Sequence, residues 1–329
     1  MELDDVLTAV RSGSEPAFAR LVDRYRRELH LHCYRMGGSF DEAEEVLQEA
    51  LLKVWRARQS LPAAGGVRPW LYRVVTNTCI DDARRRARRV RPLSSFEEMP
   101  WLQPYPDGLL NQALPADAEP ESVVVARETI SLAFLAVIQT LPAKQRAVLI
   151  LRDVLGWSAA ECASLLDASV PAVNSALQRA RTTMRDHHAR RTTASLPSPA
   201  TEDEQALLKR YIEAHEQGDA AGLAAIMAED VRVTMPPAPF RYEGRAALAP
   251  LLARAFGPDG DGDWLAVATR ANRQPAAACY LRRPGDSQYR AFKLDVLRIE
   301  NGTIAETTTF GNGQFPAFDL PTTLEPRRS

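Results

Sequence analysis

Residues 141–185 read LPAKQRAVLILRDVLGWSAAECASLLDASVPAVNSALQRARTTMR. The stretch divides into three short helices, and the last two form a helix-turn-helix. Ser158 followed by Glu161 is a capping box, so a helix is expected from Ala159. Its apolar residues Cys162, Leu165 and Leu166 share one face. Asp167-Ala168-Ser169 leaves room only for a tight turn. Ser169 then caps a second helix, and Pro171 is tolerated in its first turn, where the amide has no intrahelical partner. Val170, Val173, Leu177 and Ala180 form the expected buried stripe, leaving Asn174, Ser175, Gln178, Arg179 and Arg181 facing out. A polar and basic helix after a short turn has the geometry that enters a DNA major groove. An ordinary helical hairpin with a solvated outer face fits the same pattern, and the segment alone does not separate the two.

The N-terminal part of the chain separates them. Leu141-Pro142, Gly156-Trp157-Ser158 and Val173-x-Ser175-x-Leu177-x-Arg179-Ala180-Arg181 resemble region 4 of an extracytoplasmic-function (ECF) sigma factor of the sigma-70 superfamily. Upstream, Ala17-Phe18 with Leu21 and Tyr25, DEAEEVLQE at residues 41–49 and WLYRVVTN at residues 70–77 resemble region 2 of the same family. The resemblance covers Met1 to about Arg191, with both motif blocks in the family's order. It implies binding to core RNA polymerase and promoter DNA. A repressor that binds duplex without polymerase would leave residues 41–49 and 70–77 unexplained.

The chain has 329 residues, enough for two or three domains, and its 45 % hydrophobic content is ordinary for a soluble protein. The net charge is −1, so contact with nucleic acid must rest on local clusters. Four scattered cysteines, Cys33, Cys79, Cys162 and Cys279, form no C-x-x-C or Cys/His pair, so reduced thiols, no metal and no cofactor are expected. The N-terminus lacks a basic, apolar leader, and the longest apolar run, Leu132 to Ile138, is too short to span a bilayer. The expected location is cytoplasmic, away from membranes.

In chain order, residues 1–92 are expected to form the first helical domain. Leu3–Arg11 and Glu15–Met36 read as helices, the second stopped by Gly37-Gly38. Ser39 opens a third helix to about Arg58. One face carries Asp41, Glu44, Glu45, Gln48, Glu49 and Lys53. A run of this kind is usually a solvated face; the resemblance implies that it binds the polymerase clamp helices. Residues 61–67, LPAAGGV, read as a loop, followed by one helix from Arg68 to about Arg89. Trp70, Tyr72, Arg73, Asn77 and Thr78 there mix aromatic and amide groups, and Arg84, Arg85, Arg86, Arg88, Arg89 and Arg91 follow in eight positions. Aromatic faces stack on unpaired bases and arginines track phosphate. By resemblance this helix recognises and opens the minus-10 element, with Asn77 near a flipped base, and the second domain's outward residues read the minus-35 element.

Residues 93–120 are a proline-rich linker in which Trp101 and Tyr105 stand among prolines. Those aromatics either thread with the linker through polymerase or pin it to a neighbouring domain. Residues 121–191 form the second helical domain, in which Glu121–Thr140 is expected to be helical. Two departures from the family occur there. Asp167-Ala168 replaces a common turn glycine, which Asp tolerates. Asn174 and Ala176 stand at recognition-helix positions that are often basic, which implies weaker, less salt-sensitive minus-35 binding.

Residues 192–201 form a Ser/Thr/Pro linker, and 202–329 form a third domain. Helices over 204–217 and 220–227, a strand over 230–235 and a further helix to Phe256 precede strands over 264–271, 276–282, 289–299 and 303–310, with a hairpin at Asn301-Gly302. This α+β layout resembles a SnoaL-like cone around a pocket, partly through Tyr242-Glu243-Gly244-Arg245. The expected architecture is therefore multidomain: two all-α sigma domains, the second with the helix-turn-helix, plus a C-terminal α+β cone. ECF factors with such a cone are regulated by it, which implies an intramolecular contact with the sigma domains and leaves room for a small-molecule ligand. The alternative is a cone-type enzyme fused to a DNA-binding half, with Asp295 as base beside Tyr242 and Tyr280. Fold alone does not establish that chemistry, and no enzymatic activity is expected.

Overall fold

The computed structural model describes residues 2–87, 99, 101–113, 130–190, 202–257 and 260–326. They fall into two compact units, 1–94 with 109–193, and 95–108 with 194–329. Residues 88–98 with Arg88, Arg89 and Arg91, Pro100, residues 114–129, and residues 191–201 with the linker lie outside the described residues.

The first unit is helical: α1 (Leu3–Arg11), α2 (Glu15–Gly37), α3 (Phe40–Arg56) and α4 (Ala64–Ala87) precede α6 (Leu132–Gln139), α7 (Ala143–Leu149), α8 (Ala159–Leu166) and α9 (Val170–Arg190), while α5 (Asp107–Ala113) spans the boundary with the second unit. The local signals act as their chemistry dictates. Ser39 Oγ accepts from the Glu42 amide at 3.2 Å, and Ser158 and Glu161 complete a reciprocal box. Gly38 ends α2 with φ 80°, and Asp167 makes the helix-turn-helix turn at φ 49°, ψ 57°. A π turn, Ile150–Val154, prolongs α7.

Two local expectations need correction. LPAAGGV is not wholly loop, because α4 begins at Ala64. Its first amide finds an acceptor far away in sequence, Asp4 Oδ1 at 3.1 Å, and Arg11 donates to the carbonyls of Leu61 and Pro62 at 2.9 and 2.8 Å. Val170 is also not part of the buried stripe: it is 39 % exposed, and Ala176 takes a buried place beside Val173, Leu177 and Ala180.

Within this unit α4 packs against α7 and α8. Trp157, buried, meets the Tyr72 ring at 5.2 Å. Arg146, also buried, donates to the carbonyls of Met36, Gln139 and Leu141 and to Gln139 Oε1. Gln139 Nε2 donates to the Arg35 carbonyl at 3.2 Å. These side chains satisfy carbonyls at the end of α2, where a helix leaves its last acceptors unpaired.

The second unit holds α10 (Glu202–Gln217), α11 (Ala220–Ile226), β1 (Met227–Thr234), β2 (Arg241–Glu243), α12 (Arg245–Phe256), β3 (Asp263–Ala271), β4 (Gln274–Arg282), β5 (Tyr289–Glu300), β6 (Thr303–Gly311) and β7 (Thr323–Leu324). The sheet order is β2-β1-β6-β5-β4-β3, with β7 on β5; β1 and β6 run parallel and the other pairs are antiparallel. Asn272-Arg273 and Asn301-Gly302 make the β3–β4 and β5–β6 turns with positive φ at both positions, the geometry that two-residue hairpins favour. α10 lies on β3 and β4, burying Tyr211 and Leu207 with Trp264, Ala277, Cys279 and Leu281.

Part of the linker belongs to this unit. Tyr105 donates its amide to Asn272 Oδ1 at 2.7 Å and accepts from the Asn272 amide at 2.9 Å. Asp107 Oδ1 accepts from the Arg273 amide at 2.8 Å, and Asp107 Oδ2 faces Arg270 Nε at 3.3 Å. Met99, Leu102 and Tyr105 are buried.

Candidate nucleic-acid and polymerase interfaces

On α3 the six singled-out residues separate into two groups. Asp41, Glu45 and Gln48 are exposed and share a stripe with Leu52, which is 56 % exposed. Glu44, Glu49 and Lys53 are half-buried and engaged within the fold. Glu44 pairs with Arg26, and Glu49 with Lys53 and Arg85, both at 2.8 Å. The Arg85 hydrogen bond, then that from Lys53, pulls the Glu49 carboxyl down to about 2.

On α4 the singled-out residues divide by exposure. Trp70, Arg73, Asn77 and Arg84 recur at helical spacing on the outer face; Trp70 is half-buried and the other three are exposed. Arg84 and Arg85 form surface pairs with Asp81 at 3.3 Å and Asp82 at 3.4 Å, and Arg86 is half-buried between Glu42 and Asp82. Two expectations are corrected here. Tyr72 is 1 % exposed, with its hydroxyl donating to Glu28 Oε2 at 3.2 Å and its ring against His32 and Trp157. Thr78 is also 1 % exposed; its hydroxyl donates to the Val74 carbonyl at 2.8 Å and accepts from Lys53 at 3.2 Å. Both lie on the side of α4 that carries Leu71, Val75 and Cys79 into the core, so they support the helix from within.

On α9 Asn174, Ser175, Gln178, Arg179 and Arg181 are all exposed, while Ala176 is turned into the core and cannot serve as a base-facing position. Arg181 is held by Asp153 in a two-pronged pair at 2.9 and 2.7 Å, so its fork is already occupied. Asn174, Ser175, Gln178 and Arg179 make the open polar face.

The cone's polar centre differs from the imagined catalytic arrangement. Asp295 is fully buried, and it bonds Tyr211 rather than Tyr242 or Tyr280. Tyr280, next to Cys279 on β4, points to the other face and donates to the Pro321 carbonyl at 3.0 Å. Asp295 Oδ2 accepts from the Tyr211 hydroxyl at 2.9 Å and from Lys293 Nζ at 2.7 Å, and Oδ1 accepts from Thr309 at 2.6 Å. Burial works to raise its pKa, but Lys293, then His215 and the hydrogen bonds, hold it below the usual carboxylate range. A carboxylate so saturated cannot collect a substrate proton. His215, pushed down to about 3 by burial and by Lys293, is neutral. His215, Cys279 and Asp295 have donor atoms mutually within 4.8 Å, yet Lys293 Nζ lies 2.7 Å from Asp295 and 3.3 Å from His215, and burial holds the Cys279 thiol protonated. The ammonium takes the place that a metal ion would need.

Sequence reasoning missed Leu52, Arg146, Gln139, Lys293 and His215, and read Trp157 only as part of a motif, not as the ring packed on Tyr72. Lys293 had a signal: it is one of only four lysines, and it stands two residues from Asp295, hence on the same strand face.

Among the described residues no helix is long and apolar enough to cross a membrane. Residues 21–89 match the family description "Sigma-70 region 2", 131–184 "Sigma-70, region 4" and 208–307 "SnoaL-like domain". SigG of Mycobacterium tuberculosis, an ECF RNA polymerase sigma factor, is 37 % identical over 98 % of this chain and 90 % of its own. SigW of Bacillus subtilis, also an ECF RNA polymerase sigma factor, is 31 % identical over 54 % of this chain and 91 % of its own. The crystal structure of Mycobacterium tuberculosis SigJ, an extracytoplasmic-function sigma factor, superposes with a TM-score of 0.60 at 21 % identity, covering 92 % of this chain and 99 % of that one, and so shares the fold. With both sigma regions and the cone present in order, and the likeness to SigG running nearly end to end, the chain belongs to the ECF RNA polymerase sigma factor family.

Proposed function

We propose that the chain brings core RNA polymerase to promoters through named surfaces, and that its C-terminal cone acts on this in cis through the linker. The acidic stripe Asp41, Glu45 and Gln48 with Leu52 is the polymerase-docking face. Trp70, Arg73, Asn77 and Arg84 act on the minus-10 element: the aromatic ring stacks on an unpaired base, Asn77 reads a base edge and the arginines hold phosphate. Asn174, Ser175, Gln178 and Arg179 lie in the minus-35 major groove. No covalent step belongs to the protein; it lowers the cost of opening duplex by giving unpaired bases a place to bind.

The stripe on α4 is the observation that carries this reading, because it collects a half-buried aromatic ring, an amide and cations on one outer helix face, opposite the face that Leu71, Tyr72, Val75 and Cys79 carry into the core. The cis control rests on the docked 99–108 segment, which ties the connection between the sigma regions to the β3–β4 turn. In the first unit Arg146, Gln139 and Trp157 join the minus-10 helix bundle to the minus-35 one. In this reading the joints part when the two DNA elements are engaged together, and a linker held by the cone shifts that equilibrium by contacts it makes in one state and not in the other.

The test is binding and run-off transcription with purified core polymerase. Glu45→Arg with Leu52→Glu is expected to abolish polymerase binding without unfolding, both side chains being exposed. Wild-type affinity in that variant would remove α3 as the docking face.

A further inference from the structure

The cone contains a cavity of about 550 Å³, within the range of small-molecule sites. Leu223, Val233, Leu248, Leu252, Trp264 and Phe310 are among its walls. Phe240 and Phe292 also line it and stay 57 % and 38 % exposed, so apolar surface continues to the opening. Among the polar groups of the lining, Lys293 and Thr307 keep hydrogen-bonding capacity that the fold leaves open, although the Lys293 ammonium also lies 5.6 Å from the centroid of the Trp264 ring. Lys293 Nζ reaches Asp295 at 2.7 Å and His215 at 3.3 Å, and its third proton meets no hydrogen-bond acceptor among the described residues. Thr307 also lines the cavity, and its hydroxyl is buried without a partner, the kind of orphan that calls for an explanation. The register Lys293↔Gly311 and Leu297↔Thr307 puts the two four residues apart along one sheet face, about 13 Å.

We propose that this cavity is a ligand site for a neutral, elongated, mostly apolar molecule bearing an acceptor oxygen, such as a ketone, that takes the free proton of Lys293. The charge balance selects neutrality. The ammonium is already matched by Asp295, so a carboxylate placed beside it would meet a buried anion and no unspent positive charge at that point; the other cation of the lining, Arg254, is exposed. A neutral carbonyl takes the charge-assisted hydrogen bond without that cost. The length between Lys293 and Thr307 suits a molecule polar at both ends.

The probe is prodan, a neutral naphthyl ketone whose emission shifts to the blue in apolar surroundings, titrated into the full chain without polymerase. Its displacement is then followed with 2-acetylnaphthalene, its apolar isostere 2-isopropylnaphthalene, and 2-naphthoate. Saturable one-to-one binding is expected, with the ketone at least about tenfold tighter than the hydrocarbon and the anion weakest. Lys293→Met should bring the ketone-to-hydrocarbon ratio to about one. Because that variant strands Asp295, the double variant Lys293→Met/Asp295→Asn is measured alongside, and Leu252→Trp, which fills the cavity, should abolish binding with the polar groups intact. Absence of a saturable blue shift, equal affinity of ketone and hydrocarbon in the wild type, or tightest binding of the naphthoate would each overturn the proposal. None of these outcomes depends on polymerase.

Discussion

Replacing Tyr105 with alanine is the sharpest perturbation of the linker clasp. The side chain is 2 % exposed, and its backbone exchanges two hydrogen bonds with Asn272. Truncating a buried aromatic costs roughly 3–5 kcal/mol. The two backbone bonds and the Asp107 contacts remain available, at about 0.5–1.5 kcal/mol each, so they do not offset that loss. Since about 1.4 kcal/mol is a factor of ten, protection of the Tyr105 and Asn272 amides from hydrogen exchange should fall by two to three decades. Amides at the sheet centre, such as Cys279 and Val296, should keep theirs. The same variant in run-off transcription should change initiation relative to wild type. Unchanged protection at Tyr105 would refute the clasp; lost protection with unchanged transcription would refute its control of initiation.

Other outcomes follow from the same contacts. Arg146→Met removes the donor for buried carbonyls at Met36, Gln139 and Leu141, and should cost the first unit roughly 3–5 kcal/mol in denaturant unfolding, each stranded acceptor costing about 1–3 kcal/mol; a loss under about 1 kcal/mol would show that the guanidinium is not holding those carbonyls. His32 and His215 are both pushed from 6.5 down to about 3, mainly by burial, so the unfolded chain binds more protons than the folded one between those values. Stability should be complete above pH 6.5 and fall as pH drops toward 3, by on the order of 5 kcal/mol for each histidine. His32→Phe should flatten that slope in the first unit; an unaltered slope would assign the acid sensitivity elsewhere.

The helix-turn-helix was legible because its signals are local: a capping box, a three-residue turn and a stripe at helical spacing. Asp167 adopts the left-handed turn that its short polar side chain permits. The cone's strands were legible from alternation and from Asn301-Gly302, though the short β2 and β7 carried too few residues to announce themselves. What local reading missed was made by distant partners. Ala64 joins α4 because Asp4 supplies an acceptor from sixty residues away. Tyr72 and Thr78 look like groups for nucleic acid, but which face of α4 is buried depends on Glu28, Lys53 and Trp157, none of them neighbours in sequence. In the cone, strand alternation put Asp295 on one of two faces; Tyr211 of α10 decided which, and so removed Tyr280 from its company.

The most direct measurement is a permanganate footprint of promoter DNA, selected from genomic fragments by run-off sequencing, with core polymerase and the full chain together. Thymines at the minus-10 element should become reactive only when both proteins are present, and Arg73→Ala with Asn77→Ala should remove that reactivity while leaving polymerase bound to the chain. Reactivity that survives the double substitution would contradict the role given to the α4 stripe, and failure of the chain to associate with core polymerase at all would contradict the whole account.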